Sequence, residues 1–135
     1  MPQLAPGLST EMEQVVKHAD TAAHWGSGDL EVLSTPALVA LMESTAFLAV
    51  AASLAAGETT VGSRIDLRHL KATPLGMKVR ARAELTAVQG PRLTFKVQAW
   101  DEVELVGEAE HERFIINEPR FMAKVAQKAA RQGKE

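Results

Sequence analysis

Residues 34–57 read STPALVALMESTAFLAVAASLAAG, and from Pro36 to Ala56 only Glu43, Ser44, Thr45 and Ser53 are polar. A run this apolar is either a membrane span or a helix enclosed by protein. An acid inside a span costs about 2.5–3.5 kcal/mol on insertion scales, and no basic flank marks a cytoplasmic side here. The run therefore predicts a helix buried on nearly all its faces. Ser34 or Thr35 can cap its start, Pro36 suits the first turn where its missing N–H is not needed, and Gly57 ends it.

Downstream of Gly57 the hydrophobic period changes from helical to two, which predicts strands. In Thr60 to Leu70, the residues Val61, Ile65, Leu67 and His69 share one face and Arg64, Asp66 and Arg68 the other. Thr73 to Gly76 reads as a turn. Met77, Val79, Ala81, Ala83 and Leu85 then alternate with charged residues, Gln89 to Pro91 turns the chain again, and Leu93, Phe95, Val97 and Ala99 alternate in their turn. A break at Asp101 to Glu104 precedes a last strand from Leu105 to Ile116. Short turns between these strands predict an antiparallel meander. Upstream of the helix, Glu11 to His18 reads as a further strand, and Ala19 to Val32 as an irregular, mobile loop able to gate a pocket. Arg120 to Arg131 reads as an amphipathic helix with Phe121, Met122, Val125 and Ala129 on one side, followed by a frayed tail from Gly133 to Glu135.

One long apolar helix with about five antiparallel strands predicts an α+β fold in which a curved sheet wraps the helix, the hot-dog arrangement. A sheet of this size leaves edges, and side-by-side dimerisation is the usual way to cover them. The chain has 135 residues, 46% hydrophobic and 24% charged, with 15 Lys plus Arg against 17 Asp plus Glu, which predicts one globular domain over residues 1–135. Disorder would require fewer apolar residues, and a nucleic-acid partner would be expected to bring a basic excess. With no cysteine, any nucleophile is an oxygen group or water. No basic cluster followed by an apolar run opens the chain, so a cytoplasmic protein is the expectation. His18, His24, His69 and His111 lack metal-ligand spacing, and no glycine-rich phosphate loop accompanies Gly62, so neither metal nor cofactor is expected. Lys124, Lys128 and Arg131 read as a solvated helix face, with coenzyme A phosphates as the alternative contact.

Three polar groups fall where the apolar pattern did not ask for them: Thr35 at the helix start, Glu43 two turns on, and His69 on the inward strand face. Each has a structural explanation, as a cap, an ion pair and a hydrogen-bonded core imidazole respectively. Together, a hydroxyl, an acid and an imidazole around one apolar cleft are the minimal equipment for acyl transfer to water. The run from Thr35 through Leu41, Met42 and Glu43, then Gly62, His69 with Ala72, Thr73, Pro74 and Gly76, and finally His111, Glu112 and Arg113, resembles the hot-dog thioesterases of the fluoroacetyl-CoA thioesterase type, from about Leu33 to Lys128. The resemblance implies hydrolysis of an acyl-CoA at a homodimer or higher homo-oligomer interface. It implies Thr35, Glu43 and His69 as the catalytic set and Gly62 and Arg113 as contributors to the pocket. It leaves the acyl group open, because the segment matching the family's aromatic lid, Ala22 to Leu33, carries Trp25 but otherwise Gly26, Ser27, Gly28 and Asp29. A hot-dog hydratase or dehydratase and a non-catalytic acyl-CoA binding module are the alternatives.

Overall fold

The computed structural model describes residues 3–133. Its elements run β1 (Ser9–Val15), a 3-10 turn (His18–Asp20), α1 (Ala22–Trp25), α2 (Thr35–Ala51), β2 (Glu58–His69), β3 (Lys78–Gln89), β4 (Arg92–Asp101), β5 (Leu105–Asn117) and α3 (Glu118–Ala130). Met1, Pro2, Lys134 and Glu135, and with them the first residues of the chain start and the end of the expected frayed tail, lie outside the described residues.

The five strands form one antiparallel sheet in the order β1-β3-β4-β5-β2, with α2 packed on its inner face, so the α+β hot-dog fold holds. The alternation in the middle strands explains the core. Val79, Ala81, Ala83 and Leu85 of β3 and Leu93, Phe95, Val97 and Ala99 of β4 are fully buried, and cluster with Leu38, Leu41, Met42, Ala46 and Val50 of α2. Each large side chain so placed contributes about 1.5–3 kcal/mol of burial. Helix side chains also reach the sheet at Gly107 of β5. A Cβ there would stand 2.9 Å from Leu38 Cδ2 and 3.3 Å from Met42 Cε, so a side chain would force these two core side chains to shift.

Several sequence expectations are corrected. The helix ends at Ala51, not at Gly57; residues 52–57 turn instead, with the Glu58 carboxylate accepting from the Ala55 N–H at 3.0 Å. Ser34 is the cap, its Oγ accepting from Ala37 N at 3.1 Å. Nor is α2 enclosed: Ala40, Ser44, Phe47 and Leu48 remain exposed, because a single sheet covers one side of a helix. The meander spans only β3, β4 and β5. β2 pairs with β5, so the link after His69 crosses the sheet to β3, tied down where Leu33 N–H donates to Thr73 O at 2.9 Å. The segment from Ala19 to Val32 is folded back on itself: Ala22 N–H donates to Val32 O at 2.9 Å, and Ala23 N–H to Leu30 O at 3.0 Å. Finally, the register of β2 slips between Gly62 and Arg64. One extra residue in a strand reverses which positions face inward. Ile65, Leu67 and His69 therefore face α2 as expected, but before the slip it is Thr60 and Gly62 that do, and not Val61. The amphipathic C-terminal helix is present as α3, capped by Asn117 Oδ1 accepting from Arg120 N at 3.0 Å, with Phe121, Met122 and Val125 exposed.

Candidate active site

The first polar cluster lies where α2 starts and β2 ends. Capping by Ser34 places Thr35 in the first turn, and its Oγ1 lies 2.8 Å from Nδ1 of His69, the last residue of β2. The other ring nitrogen, Nε2, is buried and has no hydrogen-bond partner among the described residues. Burial pushes the half-buried His69 below the ordinary histidine value, with the nearby Lys71 backbone acting more weakly in the other direction. The positive end of the α2 dipole lies beside the imidazole, which favours negative charge developing at this spot. Thr35 and His69 line a depression with Ala22, Ser27, Leu33 and Leu70.

A second cluster lies further along the helix. Glu43 Oε2 is 3.7 Å from Arg113 Nη1 on β5, and a Cβ on Gly62 would stand 2.7 Å from the same carboxylate oxygen and 3.3 Å from Arg113 Nη1. Gly62 thus leaves room for the group it faces: it points toward α2, and the carboxylate occupies the space a side chain would take. The Arg113 side chain is 8% exposed and that of Glu43 42%. Arg113 Nε donates to Thr60 Oγ1 at 2.9 Å, Nη2 to Thr60 O at 3.1 Å, and Nη1 lies 3.1 Å from His111 Nε2. The Phe47 ring lies 5.8 Å from the guanidinium carbon. Glu43 and Arg113 line an open depression with Ala40, Ser44, Phe47 and Leu48, on the uncovered side of α2.

The chain thus joins Thr35 to His69, and Glu43 to Gly62 and Arg113, as two clusters in separate depressions. Eight residues of helix explain the separation, since they advance about 12 Å and end about 80° round from where they began. Thr60 and His111 belong to the second cluster and were not read from the sequence as site residues. A signal existed: Glu108, Glu110 and Glu112 face outward on β5, and this forces His111 and Arg113 inward against the helix. Among the described residues no three His, Asp or Glu side chains converge as a metal site would require. No described helix is long and apolar enough to cross a membrane.

Comparison with known proteins points to one family. The family model for fluoroacetyl-CoA-specific thioesterase matches residues 16–119. The fluoroacetyl-CoA thioesterase of Streptantibioticus cattleyicolor is 43% identical over 98 residues, covering 73% of this chain and 70% of that protein. A solved structure of a fluoroacetyl-CoA thioesterase superposes with a TM-score of 0.87 at 35% identity, covering 94% of this chain and 98% of the other. A thioesterase superfamily member from Thermus thermophilus superposes with a TM-score of 0.92 at 27% identity, covering both chains completely.

Proposed function

The chain belongs to the fluoroacetyl-CoA-specific thioesterase family and is a thioesterase, and from that premise we propose that it hydrolyses acyl-CoA thioesters with Thr35, Glu43 and His69 as its catalytic residues. The observation that carries the reading is the Thr35–His69 bond that leaves Nε2 buried and unpartnered. With the Thr35 hydroxyl donating to Nδ1, the ring proton resides on Nε2, ready to donate to the thioester oxygen or to the leaving sulfur. Glu43 supplies the opposite function. Its carboxylate either attacks the carbonyl carbon, forming an anhydride that water opens, or removes a proton from the water that attacks. In either route a carbon–oxygen bond forms, the carbon–sulfur bond breaks, and the thiolate takes a proton as coenzyme A leaves. Gly62 and Arg113 bind at the Glu43 end, the first by leaving space and the second by holding charge against the carboxylate.

The two clusters become one site in a homodimer. β2 is a 12-residue edge strand, and α2 leaves Phe47 and Leu48 39% and 49% exposed beside it. An open edge and an adjoining apolar strip are the features a second copy would cover. If two β2 edges pair antiparallel about a two-fold axis at Asp66, with Ser63 left out of the pairing as it is against β5, Gly62 of one protomer lies opposite the partner's His69. Glu43 of one chain then faces the partner's Thr35 and His69 across the interface.

Thiol release measured across short, branched and aryl acyl-CoAs tests the activity and names the acyl group. Stoichiometric free coenzyme A and free acid are expected. An enoyl product formed from a 3-hydroxyacyl-CoA without thiol would make the protein a dehydratase, and tight acyl-CoA binding without turnover would make it a binding module. Single-turnover hydrolysis in oxygen-18 water then separates the two routes, since label in the Glu43 carboxylate reports the anhydride and its absence reports direct attack by water.

A further inference from the structure

His111 is a titratable group inside the protein that the hydrolysis scheme does not use. Its residue is 1% exposed, and both ring nitrogens are engaged. Nδ1 is 2.8 Å from the Arg64 carbonyl oxygen. A carbonyl can only accept, so Nδ1 carries the ring proton and Nε2 offers its lone pair. That lone pair meets Arg113 Nη1 at 3.1 Å, while Thr60 accepts from Nε and Nη2 on the other side of the guanidinium. A planar fork held on both sides cannot rotate, and it keeps Nη1 3.7 Å from Glu43 Oε2.

We propose that His111 is a positioning residue which, together with Thr60, holds Arg113 against Glu43, and that proton uptake by His111 dismantles this support and ends activity on the acid side. The proposal rests on the thioesterase reading for its effect on rate, but not for its geometry. A protonated His111 has no lone pair for Nη1 and places a second positive charge 3.1 Å from the first. The groups facing the ring set where this occurs. Burial lowers its affinity for a proton and so does Arg113, while the Arg64 carbonyl, Glu43 and Glu112 raise it, burial being the largest influence. From β4 the neighbour is the Phe95 ring at 6.1 Å, which holds no charge.

Two substitutions and one spectroscopic measurement test the proposal. His111→Phe keeps a ring but removes the acceptor, and kcat is expected to fall at least about 10-fold with a smaller change in KM. His111→Gln restores an acceptor near Nε2 that takes up no proton. It is expected to recover most of the lost rate and to extend activity to lower pH than the wild type. If the Phe variant has wild-type kcat, or the Gln variant loses activity on the acid side at the same pH as the wild type, the proposal falls. Nitrogen-15 NMR of the wild-type protein without substrate tests the support independently of turnover and of any variant's folding. Separate Arg113 Nη signals are expected at pH 7.5, merging as the His111 ring titrates; signals indifferent to that titration would overturn the clamp. Merging signals in a protein that releases no thiol would instead overturn the activity and leave the clamp standing.

Discussion

Thr35 and His69 share one 2.8 Å hydrogen bond and leave a buried nitrogen without a partner among the described residues, whereas Arg113 commits donors on both sides of its guanidinium to Thr60 and His111 while still facing Glu43. The difference separates two tasks. Buried polar atoms are nearly always satisfied within a fold, so an imidazole nitrogen left open is a place for an incoming group. A guanidinium held on both sides is a fixed electrostatic feature, oriented before anything arrives. On the proposed reading, one cluster offers a proton and the other holds a carboxylate in place.

Removing the reacting group from either cluster is expected to give the largest effect. Glu43→Gln and His69→Ala should each lower kcat/KM by about 10²–10⁴, the range for removing a general acid or base. Thermal midpoints should move by only a few degrees, since the Glu43 side chain is 42% exposed and His69 is half-buried. If both variants hydrolyse at the wild-type rate, these residues are not catalytic. The same two variants test whether the clusters meet across a dimer. Randomly mixed dimers of the inactive chains contain half heterodimers, and a site built from both chains leaves one of the two sites in each heterodimer intact. About a quarter of the wild-type activity should return on mixing. No recovery, after exchange of subunits is verified by mass, would place all three residues in one chain's own site.

Gly62 tests the second cluster more gently. An alanine Cβ would stand 2.7 Å from Glu43 Oε2, and the flexible carboxylate can retreat from it. Gly62→Ala is thus expected to lower kcat by roughly 10–100-fold through misplacement of the carboxylate. Folding stability should stay within about 1 kcal/mol, because no positive φ is lost and alanine restricts the unfolded chain. A variant that loses stability but not rate would make Gly62 a packing residue only.

The comparison also explains what was legible from the residues. The long helix and the charged-out, apolar-in strands β3 and β4 follow from periodicity alone, because each requires only a burial pattern along its own segment. Strand order does not follow, since the link after His69 looks like a hairpin turn whether or not β2 pairs with β3. The slip beyond Gly62 is equally silent: Val61 and Ile65 are both apolar, and only pairing with β5 reveals that they face opposite ways. The Thr35, Glu43 and His69 set stood out as polar residues in apolar surroundings. Thr60 did not, being an ordinary strand residue, and His111 and Arg113 stood out only through the family resemblance, although the three outward glutamates beside them carried the information.

The smallest expected effect is a pH dependence of stability shared by the two clusters. Burial holds both His69 and His111 below the ordinary histidine value of 6.5, so each binds a proton more readily in the unfolded chain than in the folded one. Their stabilising contribution is therefore present in full above pH 6.5 and is lost as pH falls from there through the lowered folded values. The loss per histidine is at most about 1.4 kcal/mol per pH unit within that window. Urea midpoints measured from pH 8 to pH 5 should be flat in the alkaline half and decline in the acid half. His111→Gln should flatten the decline more than His69→Gln, because His111 is fully buried with a guanidinium beside it while His69 is half-buried with no cation bonded to its ring. Parallel acid-side slopes in the wild type and His111→Gln would mean that His111 takes up its proton as easily folded as unfolded, and would remove the basis for treating the second cluster as the rigid one.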